Sequence, residues 1–189
     1  MAEKWLANLS VLLLTSCSSS LHVGDLLFHV TKTGNAITDV TPGMIDHVAI
    51  VLSRDSVIEA VGAGVRTTPL DSLRSQEGYY IIGKVRRADP TLSVINARCF
   101  LGRPYDRLYL PDNEAIYCSE LVLFSMVDHR GNHLLQPVPM SFHDASGHIT
   151  PYWQQFYRKH GMEVPEGWPG SNPGELSQRH EVRLKGKLL

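Results

Sequence analysis

Two short apolar runs that follow one another closely, His47–Leu52 and Val57–Val61, constrain the fold of this chain more than any other feature. Both are rich in β-branched residues and are separated by polar turn residues, so together they predict an antiparallel hairpin. Each run carries one ionisable side chain, His47 in the first and Glu59 in the second. Because a carboxylate inside an apolar strand is costly unless it is paired, Glu59 either meets a cation or lies on the solvent face of an edge strand.

The length of the turn decides whether these two side chains meet. Since side chains alternate between the faces of a strand, a two-residue turn would pair Ile50 with Glu59 and place His47 on the opposite face. A three-residue connection pairs Ala49 with Glu59 instead, and makes His47 its diagonal neighbour on the same face. The sequence leaves both turns open, and His47 alone is equally consistent with a buried histidine bonded to a carbonyl. A site that uses both side chains requires the odd-length connection or a bulge.

A cysteine stands where a third apolar segment begins. Apolar residues recur with helical spacing over residues 116–126, and Cys118 lies at the start of this predicted helix. Gly131 is the predicted C-cap. A thiol at a helix N-terminus faces unsatisfied N–H groups and the positive end of the helix dipole, which stabilise the nucleophilic thiolate. Most free cysteines in helices are core residues. Cys118 differs by its position and by its potential partners, His47 and Glu59, and this combination predicts a cysteine hydrolase.

The remaining segments predict a mixed fold. Further strands are predicted at Val23–Val30, Val65–Thr68 and Tyr79–Arg87, the last of these being the expected final strand. Further helices are predicted at Leu70–Ser75, from Pro90 to a stop at Gly102, and near Tyr152–Lys159. Residues 31–45 and 166–174 are rich in turn residues and are expected to be irregular. The class is α+β, an antiparallel sheet with helices packed against it, and the length fits one domain.

The N-terminus carries a pattern typical of secretion. An apolar stretch, Trp5–Leu14, leads into Leu14-Thr15-Ser16-Cys17, which resembles a bacterial lipoprotein box. We therefore expect residues 1–17 to be a signal peptide ending at Cys17, which would be lipidated, and residues 18–189 to form the domain. The alternative is an N-terminal helix with a buried Cys17. The expected location is the bacterial cell envelope, lipid-anchored or periplasmic, with membrane contact only through Cys17.

Composition and spacing argue against several other functions. The formal net charge is −1 and there is no basic block, so nucleic acid is not an expected partner. The body of the chain has no apolar run long enough to cross a bilayer, and it has neither a Gly-x-Ser-x-Gly elbow nor a Walker loop. His143, Asp144 and His148 match no standard metal-ligand spacing, so we expect no metal and no cofactor. Cys99 is expected to be a small core hydrophobe rather than a disulfide partner.

Five motifs stand in a characteristic order along the chain: Gly24–Phe28, Asp46–Val51, Val57–Ala60, Gly102–Asp106 and Tyr117–Val122. In this order they resemble the NlpC-type papain-like superfamily, and more specifically its circularly permuted YiiX/YaeF-like branch. In that branch the histidine strand precedes the cysteine helix, the reverse of the ordinary papain order. The resemblance covers residues 23–174.

The resemblance implies a permuted papain-like domain, an antiparallel sheet or small barrel with the nucleophile helix packed against it. It implies Cys118 as nucleophile, His47 as general base and Glu59 as the group that orients the base, with Tyr105 and Tyr117 near the substrate cleft. The implied reaction is cleavage of an amide bond in a peptide or acyl-amide substrate, possibly lipid-linked, such as a cell-wall peptide. Lipid acyl transfer or thioesterase-like chemistry by the same triad, and a non-catalytic binding module, remain open alternatives.

Overall fold

A computed structural model of the protein describes residues 20–188. The predicted signal peptide and its Cys17 lie outside the described residues. Within residues 20–188, no helix combines the length and the apolar character that a membrane span needs.

Within the described part of the chain, the secondary structure comprises eight strands and five helices. The strands are β1 (Leu26–Val30), β2 (Ile45–Val51), β3 (Ser56–Val61), β4 (Gly64–Pro69), β5 (Tyr79–Val85), β6 (Val138–Pro139), β7 (Pro169–Gly170) and β8 (Val182–Lys187). The helices are α1 (Leu70–Arg74), α2 (Pro90–Arg98), α3 (Cys118–Ser125), α4 (Pro151–Lys159) and α5 (Pro173–Gln178).

Six strands form one antiparallel sheet in the order β4-β3-β2-β1-β5-β8, and β6 and β7 form a separate pair. The predicted α+β class is confirmed, and the sheet remains open rather than closing into a barrel. The prediction that the strand at Tyr79 would be the last is wrong, because β8 returns from the C-terminus and pairs with β5. Since β4 and β8 occupy the edges, β2 and β3 lie inside the sheet.

The sheet buries side chains on both faces. Alternate residues such as Leu26, Phe28 and Ile50 are in the same buried cluster as Leu121 and Val122 of α3. The residues between them face the other way, and this second cluster includes Leu27, Ala49 and Val51 with Leu70 and Leu73 of α1. Because both faces are covered, a polar side chain on an inner strand has little access to water and must find partners within the protein.

Three helices begin with a polar residue followed by proline. The side chains of Asp89, Thr150 and Asn172 accept hydrogen bonds from backbone N–H groups in the first turns of α2, α4 and α5. The proline that follows each of them lacks an N–H group and has a fixed φ, which suits the first helical position. The predicted starts of α2 and α4 are thereby confirmed to within one residue.

Helix α3 begins at Cys118 as predicted, but it ends earlier than predicted. The expected cap at Gly131 is wrong, because Met126 is already extended and its carbonyl accepts a hydrogen bond from Leu134 N–H. The expectation for Cys99 is also wrong, since this residue follows α2 and is exposed. Cys99 and Cys118 are both free thiols.

Because α3 is buried, truncating a side chain on the face that packs into the core should greatly lower the free energy of unfolding. Leu121 is fully buried, so Leu121→Ala should lower the free energy of unfolding by about 2–5 kcal/mol through lost burial and a residual cavity. Leu101 has the same side chain but is 42% exposed, and Leu101→Ala should cost about 0.5 kcal/mol or less. Urea denaturation followed by circular dichroism measures both, and equal losses would contradict the assigned packing of α3.

Candidate active site

The hairpin has the odd-length turn that a shared site requires. Strands β2 and β3 pair with Ile50 opposite Ile58 and Val51 opposite Val57. Leu52 N–H donates to the Ser56 carbonyl over 2.9 Å, which leaves the three residues 53–55 as the connection. Extending this register by one residue places Glu59 opposite Ala49, so Glu59 and His47 share a face as diagonal neighbours. Of the two turns that the sequence left open, the structure contains the three-residue one.

His47 and Glu59 are in direct contact. The imidazole Nε2 lies 2.9 Å from Glu59 Oε2, and Glu59 is almost fully buried. The other carboxylate oxygen accepts a hydrogen bond of 2.6 Å from Thr68 Oγ1 and lies 3.5 Å from an Arg66 guanidinium nitrogen. Burial alone would raise the pKa of Glu59, but the bonds from His47 and Thr68 outweigh it and lower the pKa below its ordinary value. Glu59 is therefore a buried carboxylate held in its charged form by its partners.

His47 also interacts with Cys118, which acts on the pKa of its imidazole. Because Nε2 is bonded to Glu59, only Nδ1 is available to other partners. Burial alone would lower the pKa of His47, but interactions with Cys118 and Glu59, through hydrogen bonding and negative charge, raise it to about 10. The imidazole is thus protonated at neutral pH and sits between two groups that favour its positive charge. His47 therefore interacts with a carboxylate and with a thiol, the two kinds of group that a base in a nucleophilic site requires.

The first turn of α3 supports the thiol without adding a charge next to it. Tyr117 N–H donates to Glu120 Oε2 over 3.5 Å, so Glu120 satisfies a backbone group at the helix start. Burial, together with Asp106 and Asp112, raises the pKa of Glu120 to about 8. Glu120 is consequently mostly neutral at pH 7, and Cys118 keeps the favourable end of the helix dipole.

A buried aspartate fixes the loop that carries two tyrosines. Asp106 accepts hydrogen bonds from the backbone N–H groups of residues 108–110 and from the Asn113 side chain. Tyr105 and Tyr109 lie in this loop and interact with one another through their side chains. Burial is the main cause that raises the pKa of each phenol, and the nearby Cys118 acts on both in the same direction. Both tyrosines therefore lie near the thiol with their hydroxyls protonated.

Cys118 is one of the residues that line a cleft with five aromatic side chains in its walls. The cleft is lined by Ile37, Val40, Thr41, Asp46, Tyr105, Tyr109, Tyr117, Cys118, Ser119, Met140, Ser141, Phe142, Trp153, Ser171, Asn172 and Pro173. Both tyrosines predicted to lie near the substrate, Tyr105 and Tyr117, are among these residues. Tyr117 also anchors the backbone at Ser171, because its hydroxyl accepts a hydrogen bond of 3.1 Å from Ser171 N–H. Gly170 permits this approach, since a Cβ there would lie only 2.8 Å from the Tyr117 hydroxyl oxygen.

A second histidine–carboxylate pair lies beside the first, and sequence reasoning missed it. Asp46 Oδ1 lies 2.6 Å from His29 Nδ1, and Oδ2 accepts 2.7 Å from Asn35 Nδ2. His29 Nε2 donates to the Glu77 carbonyl over 2.7 Å, and the bond to Asp46 is the main cause that raises the pKa of His29. Asp46 interrupts the regular β1–β2 register directly before His47. The only sequence signal was an aspartate adjacent to the proposed base.

His143 and His148, the two histidines weighed for a metal site, bond to other groups nearby. His143 Nδ1 lies 3.1 Å from Ser141 Oγ and 3.2 Å from Glu166 Oε1. Asp144 accepts from the Ser146 hydroxyl and from His148 N–H within one turn. Among residues 20–188, no group of three or more histidine, cysteine, aspartate or glutamate side chains is placed to hold a metal ion.

An open antiparallel sheet, with its histidine strand ahead of the cysteine helix in the chain, defines a permuted papain-like fold. The chain belongs to the permuted papain-like amidase family, the YaeF/YiiX or C92 family, whose model matches residues 20–157. The order of elements that the sequence motifs predicted is thereby confirmed.

Two relatives carry the name YiiX. An uncharacterized protein YiiX of Escherichia coli K12 is 32% identical over 113 residues, which are 52% of this chain and 54% of that protein, so the match spans about half its length. A crystal structure described as metalloprotein YiiX from Escherichia coli O157:H7 aligns with a TM-score of 0.69 at 20% identity. The alignment covers 87% of this chain and 96% of that chain, and this likeness shows the fold alone. The word metalloprotein describes that protein.

The charge of Glu59 should control the protonation of His47. Glu59→Gln keeps the shape of the side chain but removes the negative charge, so the pKa of His47 should fall from about 10 by about 1–3 pH units. NMR titration of the His47 ring measures this change. Asp71→Asn removes an exposed carboxylate outside the site and should leave the titration unchanged. An unaltered His47 pKa in Glu59→Gln would contradict the coupling.

Proposed function

We propose that this protein is a cysteine amidase in which Cys118 is the nucleophile, His47 the general acid and base, and Glu59 the group that positions His47. The observation that carries the proposal is the bond between the His47 ring and the buried Glu59 carboxylate, together with the interaction of that ring with Cys118 at the start of α3. A buried carboxylate that stabilises an imidazolium next to a thiol is typical of a catalytic site, and it favours an enzyme over a non-catalytic binding module.

The proposed reaction has two stages. The Cys118 thiolate attacks the amide carbonyl, a C–S bond forms, and the carbonyl oxygen becomes an oxyanion. As the C–N bond breaks, His47 gives its proton to the leaving amine, and a thioester remains. Neutral His47 then takes a proton from water, the resulting hydroxide attacks the thioester, and release of the acid restores the thiolate and the imidazolium.

Two donors are available for the oxyanion. The backbone N–H of Cys118 lies at the first position of α3, where it has no partner within the helix. Tyr105 supplies the second donor in this proposal, because its protonated hydroxyl belongs to a residue that lines the cleft and interacts with Cys118. The sequence could not name a second donor, since a linear motif does not show which side chains line the cleft.

The proposed substrate is a peptide or related acyl-amide of the bacterial cell envelope, where lipidation of Cys17 would hold the enzyme. A second candidate, acyl transfer from a lipid, is favoured by the apolar rings of Phe142 and Trp153 along the cleft. Incubation of the protein with peptidoglycan fragments and with acyl-lipids, followed by mass spectrometry, separates the two. Cys118→Ala should abolish turnover in either case, and retained hydrolysis in that variant would refute the proposed nucleophile.

Reactivity toward iodoacetamide tests the nucleophile without a known substrate. Cys118 is 5% exposed and Cys99 is exposed, so accessibility alone favours Cys99. If Cys118 is activated, it should nevertheless be alkylated at least about tenfold faster than Cys99 at pH 6. His47→Ala should remove this advantage, and peptide mapping measures both rates in one sample. Slow and equal labelling of the two cysteines would contradict the proposal.

The Tyr105 hydroxyl should act on catalysis. Tyr105→Phe should lower kcat by roughly 100-fold to 1,000-fold, the usual effect of losing one oxyanion donor. Tyr157→Phe is the matched control, because this buried hydroxyl donates to the Leu108 carbonyl and does not belong to a residue lining the cleft. It should lower stability and leave kcat within about twofold. Steady-state kinetics on a cleaved peptide measures both, and equal effects would rule out the assigned role of Tyr105.

A further inference from the structure

A recess at one end of the large sheet gathers positively charged side chains. It lies where β1 begins and β5 ends, and its walls include Lys84, Arg183 and Lys185. Asp25 is the only carboxylate among the described residues that line it, and Asp25 Oδ2 accepts a hydrogen bond of 2.8 Å from Lys185. Lys84 and Arg183 therefore carry two positive charges that no carboxylate in the recess compensates.

Lys84 and Arg183 are exposed and lie directly opposite each other in the β5–β8 ladder. Neither side chain has an ion pair within residues 20–188. Like charges in this position repel, so the pair is unfavourable in the free protein. Lysine on an edge strand commonly prevents pairing with other sheets, which accounts for cations on β8 but not for Lys84 on the inner strand β5. A surface that binds an anion, by contrast, requires such a concentration of charge.

The segments around the recess have the same charge. Residues 84–87 and 182–187 contain six of the 18 lysine and arginine residues and none of the 19 acidic residues, so the rest of the chain has 12 basic and 19 acidic residues. The six are Lys84, Arg86, Arg87, Arg183, Lys185 and Lys187. No basic block is visible in the sequence because the two segments are far apart in the chain, and only the pairing of β5 with β8 joins them.

The N-terminal end of the described chain is held at this recess. Lys185 Nζ donates to the Ser20 carbonyl over 3.0 Å. Asp25, which is 2% exposed, accepts from His22 N–H over 2.8 Å. Ser20 is three residues after Cys17, and three residues span at most about 11 Å. A lipid on Cys17 would therefore bring a bilayer surface close to the recess.

The recess and the catalytic residues lie at opposite ends of the strands. Toward the end of β1, His29 is opposite His47, and at the start of β1, Leu26 is opposite Gly83, the residue before Lys84. Four residues at about 3.3 Å each separate the two sites by about 13 Å along the sheet. A surface that contacts the recess therefore leaves the catalytic end uncovered.

We propose that the recess, through Lys84 and Arg183, is a docking surface for the phosphate headgroups of an anionic phospholipid bilayer. The sequence predicts membrane contact only through Cys17, and this surface adds a second, electrostatic contact beside that anchor. A lipid chain combined with a basic patch is an established way to hold a protein at a membrane. The position of the recess next to the predicted anchor favours a membrane over a soluble phosphate. The proposal does not depend on the proposed function.

Vesicle sedimentation with the full chain tests the docking surface. One set of vesicles mixes phosphatidylglycerol with phosphatidylcholine, and the other contains phosphatidylcholine alone. The test variant is Lys84→Gln/Arg183→Gln. The matched control is Arg158→Gln/Lys159→Gln, which removes the same number of exposed cations from the last turn of α4, outside the recess. The apolar stretch Trp5–Leu14 is the same in every variant, so the readout is the difference between the two vesicle compositions.

The unmodified chain should bind the anionic vesicles more tightly than the neutral ones, and added salt should weaken this preference. Lys84→Gln/Arg183→Gln should weaken binding to anionic vesicles by roughly tenfold to thirtyfold, about fivefold for each charge. Binding to neutral vesicles should stay within about twofold, and the control variant should bind both vesicle types within about twofold of the unmodified chain. The test variant should keep or raise the Tm, because it removes a repulsive pair.

Three results would overturn the docking surface. The first is equal binding of the unmodified chain to both vesicle types, and the second is an equal loss of binding in the two double variants. The third assigns the recess to a soluble anion: inorganic phosphate raises the Tm of the unmodified chain but not of the test variant, while vesicle binding is the same in both.

Iodoacetamide labelling of Cys118 separates this proposal from the proposed function. The labelling rate should be the same in the unmodified chain and in both double variants. Loss of the vesicle preference with rapid labelling refutes the docking surface alone. Slow labelling of Cys118 in the unmodified chain refutes the proposed function alone.

Discussion

The contact between the buried Glu59 carboxylate and the His47 imidazole is the interaction on which the rest of the site depends. A carboxylate on an inner strand of a sheet covered on both faces is tolerable only when it is charged and fully bonded, and Thr68 and His47 provide those bonds. The same bonds favour the protonated imidazole. One requirement of burial thus fixes the orientation and the charge of the His47 ring.

The scaffold keeps this contact in register with the cysteine. The three-residue turn between β2 and β3 sets which face Glu59 occupies, and the packing of α3 on the sheet brings the start of that helix to His47. Around this centre, Asp106 and Tyr117 hold irregular segments in place by hydrogen bonds rather than by regular secondary structure. The core therefore supplies rigidity, and the loops supply the walls of the cleft.

The cleft itself combines two kinds of surface. Five aromatic residues give it an apolar lining, while six other residues with hydroxyl, amide or carboxylate side chains, among them Asp46 and Asn172, add polar groups. A cleft of this kind can hold both the apolar and the polar parts of a ligand.

The sequence by itself determined the elements that depend on local patterns. Alternating and helical periodicities placed β2, β3 and α3, and the position of Cys118 at a helix start followed from residues 116–126 alone. Whether Glu59 met His47 depended on one residue of turn length, which the sequence left open. The His29–Asp46 pair, β8 and the set of residues that line the cleft were decided only by tertiary structure. Those contacts join segments distant in the chain, and no local periodicity records which irregular loops will fold against a common cleft.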